Sequence, residues 1–189
     1  MRGVQAISMG DPVSDIPLAV DMDGTLILSD MSKISFTRVM ARKPWLLPKV
    51  ILKELTGKRA QWKRELAEKL VFNPADLAYH QSFLEWITGE YARGRVLILA
   101  TASDRIVAEQ IAAHVGLFSD VMASDGDYNL RGRRKADALV ARYGNSKFGY
   151  AGNSHHDIDV WRCSGQVVVV NPEKGLLDKI GDSADVIFE

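Results

Sequence analysis

The sequence predicts an α/β fold, a doubly wound parallel sheet with a helical cap inserted after the first strand. From Arg95 onward, short apolar runs alternate with amphipathic helical segments, a pattern typical of a parallel sheet with helices on both faces. Before that point, residues 29–93 have helical spacing and few strand signals, and they separate one apolar run from all the others. The 189 residues, 47% of them hydrophobic, suffice to bury one core around such a sheet.

The first strand is the apolar run Leu18–Met22, which breaks at Asp23-Gly24, where glycine permits a tight turn. In the inserted stretch, two sets of apolar residues have the helical spacing i, i+4, i+8: Trp62, Leu66 and Leu70, and then Phe83, Ile87 and Tyr91. Three prolines each suit the first turn of a new helix: Pro44, Pro48 and Pro74. We therefore predict several short helices here.

The remainder of the chain predicts five more strands and two clear helices. The strands are Val96–Ala100, Asp120–Ala123, Phe148–Ala151, Val167–Asn171 and Val186–Phe188; the helices are Asp104–His114, ending before Gly116, and Lys135–Tyr143, ending before Gly144. We predict a loose leader over residues 1–17, a core domain over 18–28 and 94–189, and a helical cap over 29–93. Ligands of such sheets bind beyond the carboxyl ends of the strands, so the cap would overhang the site.

Composition excludes several classes of function. Lys and Arg together number 24, as do Asp and Glu, so a globally basic nucleic-acid-binding protein is excluded and we expect no nucleic-acid partner. The single Cys163 excludes a disulfide framework and a cysteine-based zinc site. Apolar runs are strand-sized and the first residues resemble no secretory signal, so we expect a cytoplasmic domain.

Polar residues stand directly at the ends of the apolar strands. Asp21 and Asp23 stand at the end of the first strand, Thr101 and Ser103 follow the second, and Asn153 follows the fourth. Carboxyl ends of parallel strands converge, so these groups should meet in one crevice. Two carboxylates so close would repel each other unless a hard cation such as Mg²⁺ lay between them. A carboxylate beside Mg²⁺ can attack phosphorus, and a second one can transfer the proton.

Four segments together resemble the motifs of the haloacid dehalogenase-like (HAD) superfamily. They are Asp21-Met22-Asp23-Gly24-Thr25-Leu26, Thr101-Ala102-Ser103, Lys135 at a helix start, and Gly152-Asn153-Ser154-His155-His156-Asp157. Their order and their placement at strand ends agree with that family, which has a Rossmann-like sheet. The resemblance implies phosphate ester hydrolysis rather than carbon–halogen cleavage, because the dehalogenases of the superfamily lack an acid at the position of Asp23.

The resemblance also implies a role for each motif residue. Asp21 would be the nucleophile and Asp23 the general acid and base, while Thr101, Ala102 and Lys135 would bind the substrate phosphate. Mg²⁺ would be held by Asp21, Asp23, Asn153 and Asp157.

Other interpretations of these residues stay open. Thr101 could cap the following helix, Asn153 and Asp157 could do the same, and one of the neighbouring arginines could replace Lys135 as the phosphate-binding cation. Asn153 stands where the superfamily usually has aspartate, and an uncharged amide oxygen predicts a weaker metal site. A catalytically weak, ligand-binding domain is therefore the alternative to an enzyme, and a phosphotransferase is the alternative to a hydrolase.

A closer resemblance concerns the HAD domain fused ahead of UbiA-type prenyltransferases. It is carried by the segments VDMDGTL, LATASDR, ASDG with NL.G..KA.ALV, and YAGNS..D..VWR. It implies a phosphosugar or lipid-linked phosphate as substrate, and a membrane prenyltransferase as partner.

The predicted cap is locally basic. Residues 41–70 contain nine Lys or Arg and three Glu, interleaved with Trp45 and several aliphatic residues. This composition suits an anionic membrane surface or an amphipathic phosphate, which would make the protein membrane-peripheral; an ordinary solvated helix face is the alternative.

Overall fold

The computed structural model describes residues 16–189, which form one six-stranded sheet flanked by helices. All neighbouring strands are parallel and their order is β3-β2-β1-β4-β5-β6. The strands are β1 (Leu18–Val20), β2 (Leu97–Asp104), β3 (Asp120–Ser124), β4 (Gly149–Gly152), β5 (Gln166–Val170) and β6 (Val186–Phe188). The predicted doubly wound α/β sheet is thereby confirmed.

Eight α-helices connect or cover the strands in the described part of the chain. They are α1 (Met31–Arg42), α2 (Leu47–Leu55), α3 (Arg59–Ala67), α4 (Gln81–Ala92), α5 (Arg105–Val115), α6 (Arg133–Tyr143), α7 (Ile158–Trp161) and α8 (Leu176–Ile180). Pro44, Pro48 and Pro74 each lie in the first turn of a helix or 3₁₀ turn, as predicted, because proline fixes a helical φ and its missing N–H is not needed there.

The core lies on both faces of the sheet because successive residues of a strand point to opposite sides. Leu18 and Val20 of β1 pack on one face with Phe83 and Ile87 of α4. Ala19 packs on the other face with Leu139 of α6. Every residue of β1 is fully buried, which explains why this central strand has no polar residue before its end.

Several predicted limits differ in the structure, and β1 ends at Val20 instead of Met22. β2 extends to Asp104 instead of ending at Ala100, and its register with β3 shifts between Thr101 and Asp104. Leu70, predicted to continue the helix that carries Trp62, lies beyond α3. That helix ends at Ala67 because the chain tightens into i→i+3 hydrogen bonds, in which Leu70 N–H donates to Ala67 O at 3.2 Å.

The stretch 29–93 has two parts in the structure. Helices α1 to α3 enclose a small apolar cluster of their own, made of Val39, Val50, Trp62 and Leu66. Helix α4 instead packs against the sheet with the main core. We call α1 to α3 the helical cap; the predicted domain limits themselves stay a prediction. The predicted leader, residues 1–17, lies outside the described residues except for Ile16 and Pro17.

The order of the strands positions a crevice. The chain runs from β1 to β2 on one side of the sheet and later to β4 on the other, so the connections diverge at the carboxyl ends of β1 and β4. Such a divergence leaves an open crevice at the sheet edge, where ligands of doubly wound folds bind. Among residues 16–189, no helix has the length and apolar character that crossing a membrane requires.

Candidate active site

Asp21 occupies the first position after β1 at the centre of the sheet. Its N–H donates to Ala151 O of β4 at 2.9 Å, which fixes the backbone at the point where the sheet ends. The side chain is largely buried, and its Oδ1 accepts a hydrogen bond from Lys135 Nζ at 2.8 Å. Lys135 comes from the first turn of α6, 114 residues along the chain. The structure thus brings together the predicted nucleophile and the predicted cation.

Lys135 belongs to a buried network with Asp21, Tyr150 and Asp157. Lys135 Nζ also donates to Tyr150 Oη at 2.7 Å, and Tyr150 Oη donates to Asp157 Oδ1 at 2.6 Å. Tyr150 is fully buried, and both Lys135 and Asp157 are 3% exposed. Buried charges are tolerated only when they are paired and hydrogen-bonded, and here one ammonium group lies between two carboxylates.

Burial shifts the ionisation of this network. Loss of hydration raises the pKa of Asp21 from 3.8 to about 7; Lys135 opposes this rise, and the nearby Asp157 carboxylate adds to it. Burial and the same two carboxylates raise the pKa of Tyr150, so its hydroxyl keeps its proton and remains a donor. A divalent cation at Asp21 would favour the carboxylate and lower the pKa of Asp21 again.

Asp23 lies between the sheet and the cap. Its Oδ1 accepts the N–H of Met31, the first residue of α1, at 2.6 Å, and its Oδ2 accepts the Ser103 hydroxyl at 2.6 Å. Burial raises the pKa of Asp23, while these two donors lower it in part. A carboxyl group with a raised pKa, two residues from the predicted nucleophile, has the position expected of a general acid.

Thr101 and Ala102 were both predicted to bind the substrate phosphate, and they lie differently. Thr101 is fully buried; its Oγ1 accepts the N–H of Ser103 at 3.0 Å and lies 3.5 Å from Asp23 Oδ2. Ala102 lines the crevice, and its carbonyl oxygen accepts Lys63 Nζ of α3 at 3.0 Å. Thr101 therefore organises the end of β2 beside Asp23, whereas Ala102 is open to a ligand. Their phosphate-binding roles stay predictions.

Asn153, at the end of β4, faces Gly24 across the crevice. A Cβ atom on Gly24 would lie 2.3 Å from Asn153 Nδ2, and Gly24 has a φ of +79°. Only glycine therefore allows both the turn after Asp23 and the close approach of the Asn153 amide. Through this contact, the motif that contains Gly24 meets the motif that contains Asn153.

Asp157 accepts four hydrogen bonds in this structure. Besides Tyr150, its donors are the N–H groups of Asn153 at 3.2 Å and Ser154 at 2.9 Å, and the Ser154 hydroxyl at 2.8 Å. With Ser154 it forms a capping box at the following 3₁₀ turn. The helix-capping role considered from the sequence is therefore present, and a metal-binding role for Asp157 stays a prediction.

The oxygen atoms at this edge fit a hard cation by their chemistry. Asp21 supplies a carboxylate, Asp23 a main-chain carbonyl and Asn153 an amide oxygen, the ligand types that Mg²⁺ prefers. Within residues 16–189, no three His, Cys, Asp or Glu side chains are grouped as a metal site. The amide of Asn153 would thus stand in for a third acid.

The crevice has a volume of about 370 Å³ and lies between the sheet edge and the cap. Six of the seven predicted site residues line it, namely Asp21, Asp23, Ala102, Lys135, Asn153 and Asp157, and the buried Thr101 does not. Its walls also carry cationic side chains from the cap, notably Arg59 and Lys63 of α3.

Sequence reasoning missed Tyr150 and Lys63. A tyrosine inside an otherwise apolar strand is a signal, because its buried hydroxyl needs a partner, but the strand does not reveal which partner it has. Lys63 is one of nine Lys or Arg between residues 41 and 70, and nothing in the sequence distinguishes the one that turns inward.

Comparison with known proteins identifies a family model and several proteins that this chain resembles. A family model described as haloacid dehalogenase-like hydrolase matches residues 18–162. An uncharacterized protein of Sinorhizobium fredii, y4nM, is 33% identical over 155 residues, which are 82% of this chain. The chain spans 30% of the length of that relative, so the relative contains much that has no counterpart here.

Solved structures share the fold. A protein of unknown function from Bordetella pertussis Tohama I has a TM-score of 0.69 and 16% identity, covering 92% of this chain and 97% of that one. A phosphoserine phosphatase solved as a phospho-aspartyl intermediate analogue has a TM-score of 0.61 and 17% identity, covering 92% and 93%. At such low identity, these likenesses establish the architecture alone.

Proposed function

The chain belongs to the haloacid dehalogenase-like hydrolase family, and from this membership we propose that it is a phosphatase that hydrolyses a phosphate monoester through an aspartyl-phosphate on Asp21. One observation carries the proposal. A buried carboxylate at the floor of the crevice is held by Lys135 at 2.8 Å, with a second carboxyl group of raised pKa two residues further on. A phospho-aspartyl analogue in a phosphoserine phosphatase of the same fold supports the chemistry.

In the first half-reaction, the Asp21 carboxylate attacks phosphorus and the bond from phosphorus to the ester oxygen breaks. Lys135 holds Oδ1 of Asp21, so Oδ2 is the oxygen that attacks. Asp23 gives its proton to the departing oxygen, which leaves as an alcohol. The raised pKa of Asp23 favours the protonated form that this step requires. Lys135 offsets negative charge on the phosphoryl oxygens.

In the second half-reaction, water attacks the aspartyl-phosphate. Asp23, now a carboxylate, takes a proton from that water, the bond from phosphorus to Asp21 breaks, and inorganic phosphate leaves. The Ser103 hydroxyl and the Met31 N–H, each 2.6 Å from an Asp23 oxygen, stabilise Asp23 in its charged form. Asp23 thus serves as acid and then as base.

Mg²⁺ is the proposed cofactor, and when bound it would neutralise phosphoryl charge and orient the phosphate towards Asp21. Asp21, the carbonyl of Asp23 and Asn153 would hold it, and Asp157 would act on it through Asn153, to whose N–H it is hydrogen-bonded.

The test is phosphate release from an aryl phosphate and from a panel of sugar phosphates, in Mg²⁺ and in EDTA. The Asp21→Asn variant is compared with wild type, and Asp178→Asn, at an exposed position of α8, is the matched control. We expect Mg²⁺-dependent turnover that Asp21→Asn abolishes and Asp178→Asn leaves unchanged. Turnover that survives in Asp21→Asn, or acid-quenched protein without phosphate on Asp21, would overturn the mechanism.

We also propose that the cap attaches the protein to an anionic membrane surface. Five apolar residues around α2 face solvent, forming an apolar stripe of Trp45, Leu47, Ile51, Leu52 and Leu55; Trp45 is 68% and Leu55 80% exposed. Exposed cations flank the stripe at Arg42, Lys43 and Lys58. Apolar residues that enter the headgroup layer, with cations around them, are the pattern of a helix that lies on an anionic bilayer. A prenyltransferase partner stays a prediction.

Vesicle co-sedimentation tests this attachment. We expect binding to vesicles of phosphatidylserine and phosphatidylcholine at low salt, weaker binding at high salt, and little binding to phosphatidylcholine alone. A triple change of Trp45, Leu52 and Leu55 to serine should abolish binding, whereas Val71→Ser, 71% exposed elsewhere on the surface, should not. Absence of binding by the wild-type protein at low salt would refute the attachment.

A further inference from the structure

Five cationic and five acidic side chains line the crevice in the described part of the chain. Besides Lys135, four cationic side chains line it: Lys33, Arg59 and Lys63 from the cap, and Arg131 from the segment before α6. We call these four the outer cations. Lys135 is committed to the buried network, whereas the outer cations surround the space above it.

Lys63 is the most informative of the outer cations. Its side chain extends from α3 of the cap into the crevice and is largely desolvated there, and this burial lowers the pKa of its ammonium group. Nζ donates to Ala102 O at 3.0 Å, which leaves further N–H donors of the ammonium group to be satisfied. Among residues 16–189, no carboxylate oxygen lies within 4.0 Å of it. Asp23 and Asp30 attract this ammonium group from a greater distance, so an anion in direct contact with it would come from a ligand.

Arg59 lies one helical turn before Lys63 on the same side of α3. Its Nε is buried and, among the described residues, has no hydrogen-bond partner. Its Nη1 has a long contact of 3.5 Å with Glu54 Oε1. A buried donor without an acceptor is unfavourable, and a guanidinium group suits a phosphoryl or carboxylate anion.

The acids that line the crevice make their hydrogen bonds to other groups, although Asp23 and Asp30 attract the Lys63 ammonium group from beyond hydrogen-bonding distance. Asp30 caps α1 by accepting the N–H of Ser32 at 2.8 Å, and Glu173 accepts the N–H of His155 at 3.0 Å. Asp21 and Asp157 share Lys135. Lys63 and Arg59 thus keep N–H donors that no described residue accepts, and a ligand can bind to these donors.

We propose that the substrate is a phosphate monoester whose leaving group carries a second anionic group, a phosphoryl or a carboxylate, held by Lys63 and Arg59. Lys33 and Arg131 are exposed and would contribute at the rim. This inference rests on the proposed phosphatase reaction, in which the phosphorus–oxygen bond at Asp21 is cleaved by water. Inorganic phosphate is released, and the alcohol product keeps the second anion.

The same walls argue against an apolar leaving group at this position. Leu28 is the one large aliphatic side chain in the described lining of the crevice, and polar or charged residues make up most of the remainder. A small, doubly anionic metabolite matches this lining better than a lipid chain does.

Equilibrium binding to the Asp21→Asn protein in Mg²⁺ tests the proposal without requiring turnover. Two matched pairs separate the sources of the second anion: fructose 6-phosphate against fructose 1,6-bisphosphate, and glycerol 3-phosphate against 3-phosphoglycerate. We expect calorimetry to show the doubly anionic member of at least one pair binding about tenfold to a hundredfold more tightly, the range for one or two hydrogen bonds to a charged group. Equal affinity within both pairs would overturn the proposal.

Variants then assign the preference to named residues. Lys63→Gln and Arg59→Gln, each added to Asp21→Asn, should reduce the preference to about twofold or less while the singly anionic ligands bind as before. Lys58→Gln is the matched control, because Lys58 is an exposed neighbour of Arg59 outside the crevice. Circular dichroism confirms that each variant is folded. A preference that survives both substitutions would refute the assignment.

Failure of this inference and failure of the phosphatase proposal give different results. Asp21-dependent hydrolysis of an aryl phosphate, with equal affinity within both ligand pairs, would leave the phosphatase and remove the second anion site. Selective binding of the doubly anionic ligands, with no hydrolysis of any compound, would leave the anion site and remove the reaction.

Discussion

Tyr150 Oη donates to Asp157 Oδ1 at 2.6 Å in the interior of the protein, and the same hydroxyl accepts from Lys135 Nζ at 2.7 Å. The Tyr150 hydroxyl thus links Lys135, which contacts the predicted nucleophile Asp21, to the Asp157 carboxylate. Removing it in Tyr150→Phe leaves one buried acceptor and one buried donor without this partner. We expect the free energy of unfolding to fall by about 1–3 kcal/mol.

The loss should also reach the reaction, because Lys135 would no longer be fixed on both sides. We expect kcat to fall by about tenfold or more with a smaller change in KM. Urea denaturation and steady-state kinetics measure the two effects, and Tyr143→Phe, at a half-buried tyrosine beside Phe148, is the control. Unchanged stability and kcat in Tyr150→Phe would show that the hydroxyl has no such role.

The raised pKa of Asp21 predicts how stability changes with pH in the metal-free protein. Between pH 4 and 7 the unfolded carboxyl group has lost its proton, since its pKa is 3.8, while the folded one keeps it up to about pH 7. The unfolded state therefore binds fewer protons, and stability falls as the pH rises through this window, on the order of 1 kcal/mol for each pH unit. Above pH 7 this contribution is constant.

Asp21→Asn tests that dependence because the amide cannot ionise. In EDTA, the variant should unfold at a higher temperature than wild type at pH 8, and the difference should shrink at pH 5. Thermal denaturation followed by circular dichroism gives both values, with Asp178→Asn at its exposed site as the control. A variant less stable than wild type at pH 8 would contradict the raised pKa.

Gly24 and Gly57 form a matched pair for testing the contact at Asn153. Both have a positive φ, +79° and +72°, so alanine strains the backbone equally at either site. A Cβ on Gly24 would lie 2.3 Å from Asn153 Nδ2, whereas one on Gly57 meets no described atom within 4 Å. We expect Gly24→Ala to lower activity about tenfold or more. Gly57→Ala should lower only the free energy of unfolding, by about 1 kcal/mol, and leave activity unchanged. Equal activities in the two variants would refute the contact's importance.

Asn153→Asp should strengthen Mg²⁺ binding, since it adds a charge to an oxygen that would hold the metal. We expect the Mg²⁺ concentration for half-maximal activity to fall about tenfold. The same charge lies near Asp21 and Asp157, so the metal-free variant should be less stable than wild type. Asn145→Asp, at an exposed position, is the control. An unchanged Mg²⁺ requirement would mean that Asn153 does not contact the cation.

Much of the fold was predictable because a parallel sheet buries its strands on both faces. β5 stands out as an apolar run for this reason, and the glycine after α5 adopts the left-handed conformation expected of a helix end. The end of α3 was not predictable, because Leu70 keeps the helical spacing of Trp62 and Leu66 while the chain has already turned.

The candidate site likewise contains some residues whose positions could be predicted from the sequence and others whose positions could not. Asp21, Asp23 and Asn153 could be placed because each lies at or just after the end of a strand, and the sheet then brings them together. The hydrogen-bond network around Tyr150 could not be predicted, because its partners Lys135 and Asp157 come from separate elements whose packing the sequence does not display. Which lysine of the cap turns inward is likewise decided by tertiary packing, as Lys63 shows.

The central place of β1 has a consequence for the order in which the protein is built. On the ribosome, β1 is made first among the strands, yet its partners β2 and β4 follow only after the cap and after most of the remaining chain. At about 5–20 residues per second, β1 waits on the order of ten seconds for β4. During that interval α1 to α3 can already close around Val39, Val50, Trp62 and Leu66. The inserted cap is thus positioned to fold first, while the nascent β1 segment that leads to the nucleophile still lacks the neighbours that will bury it.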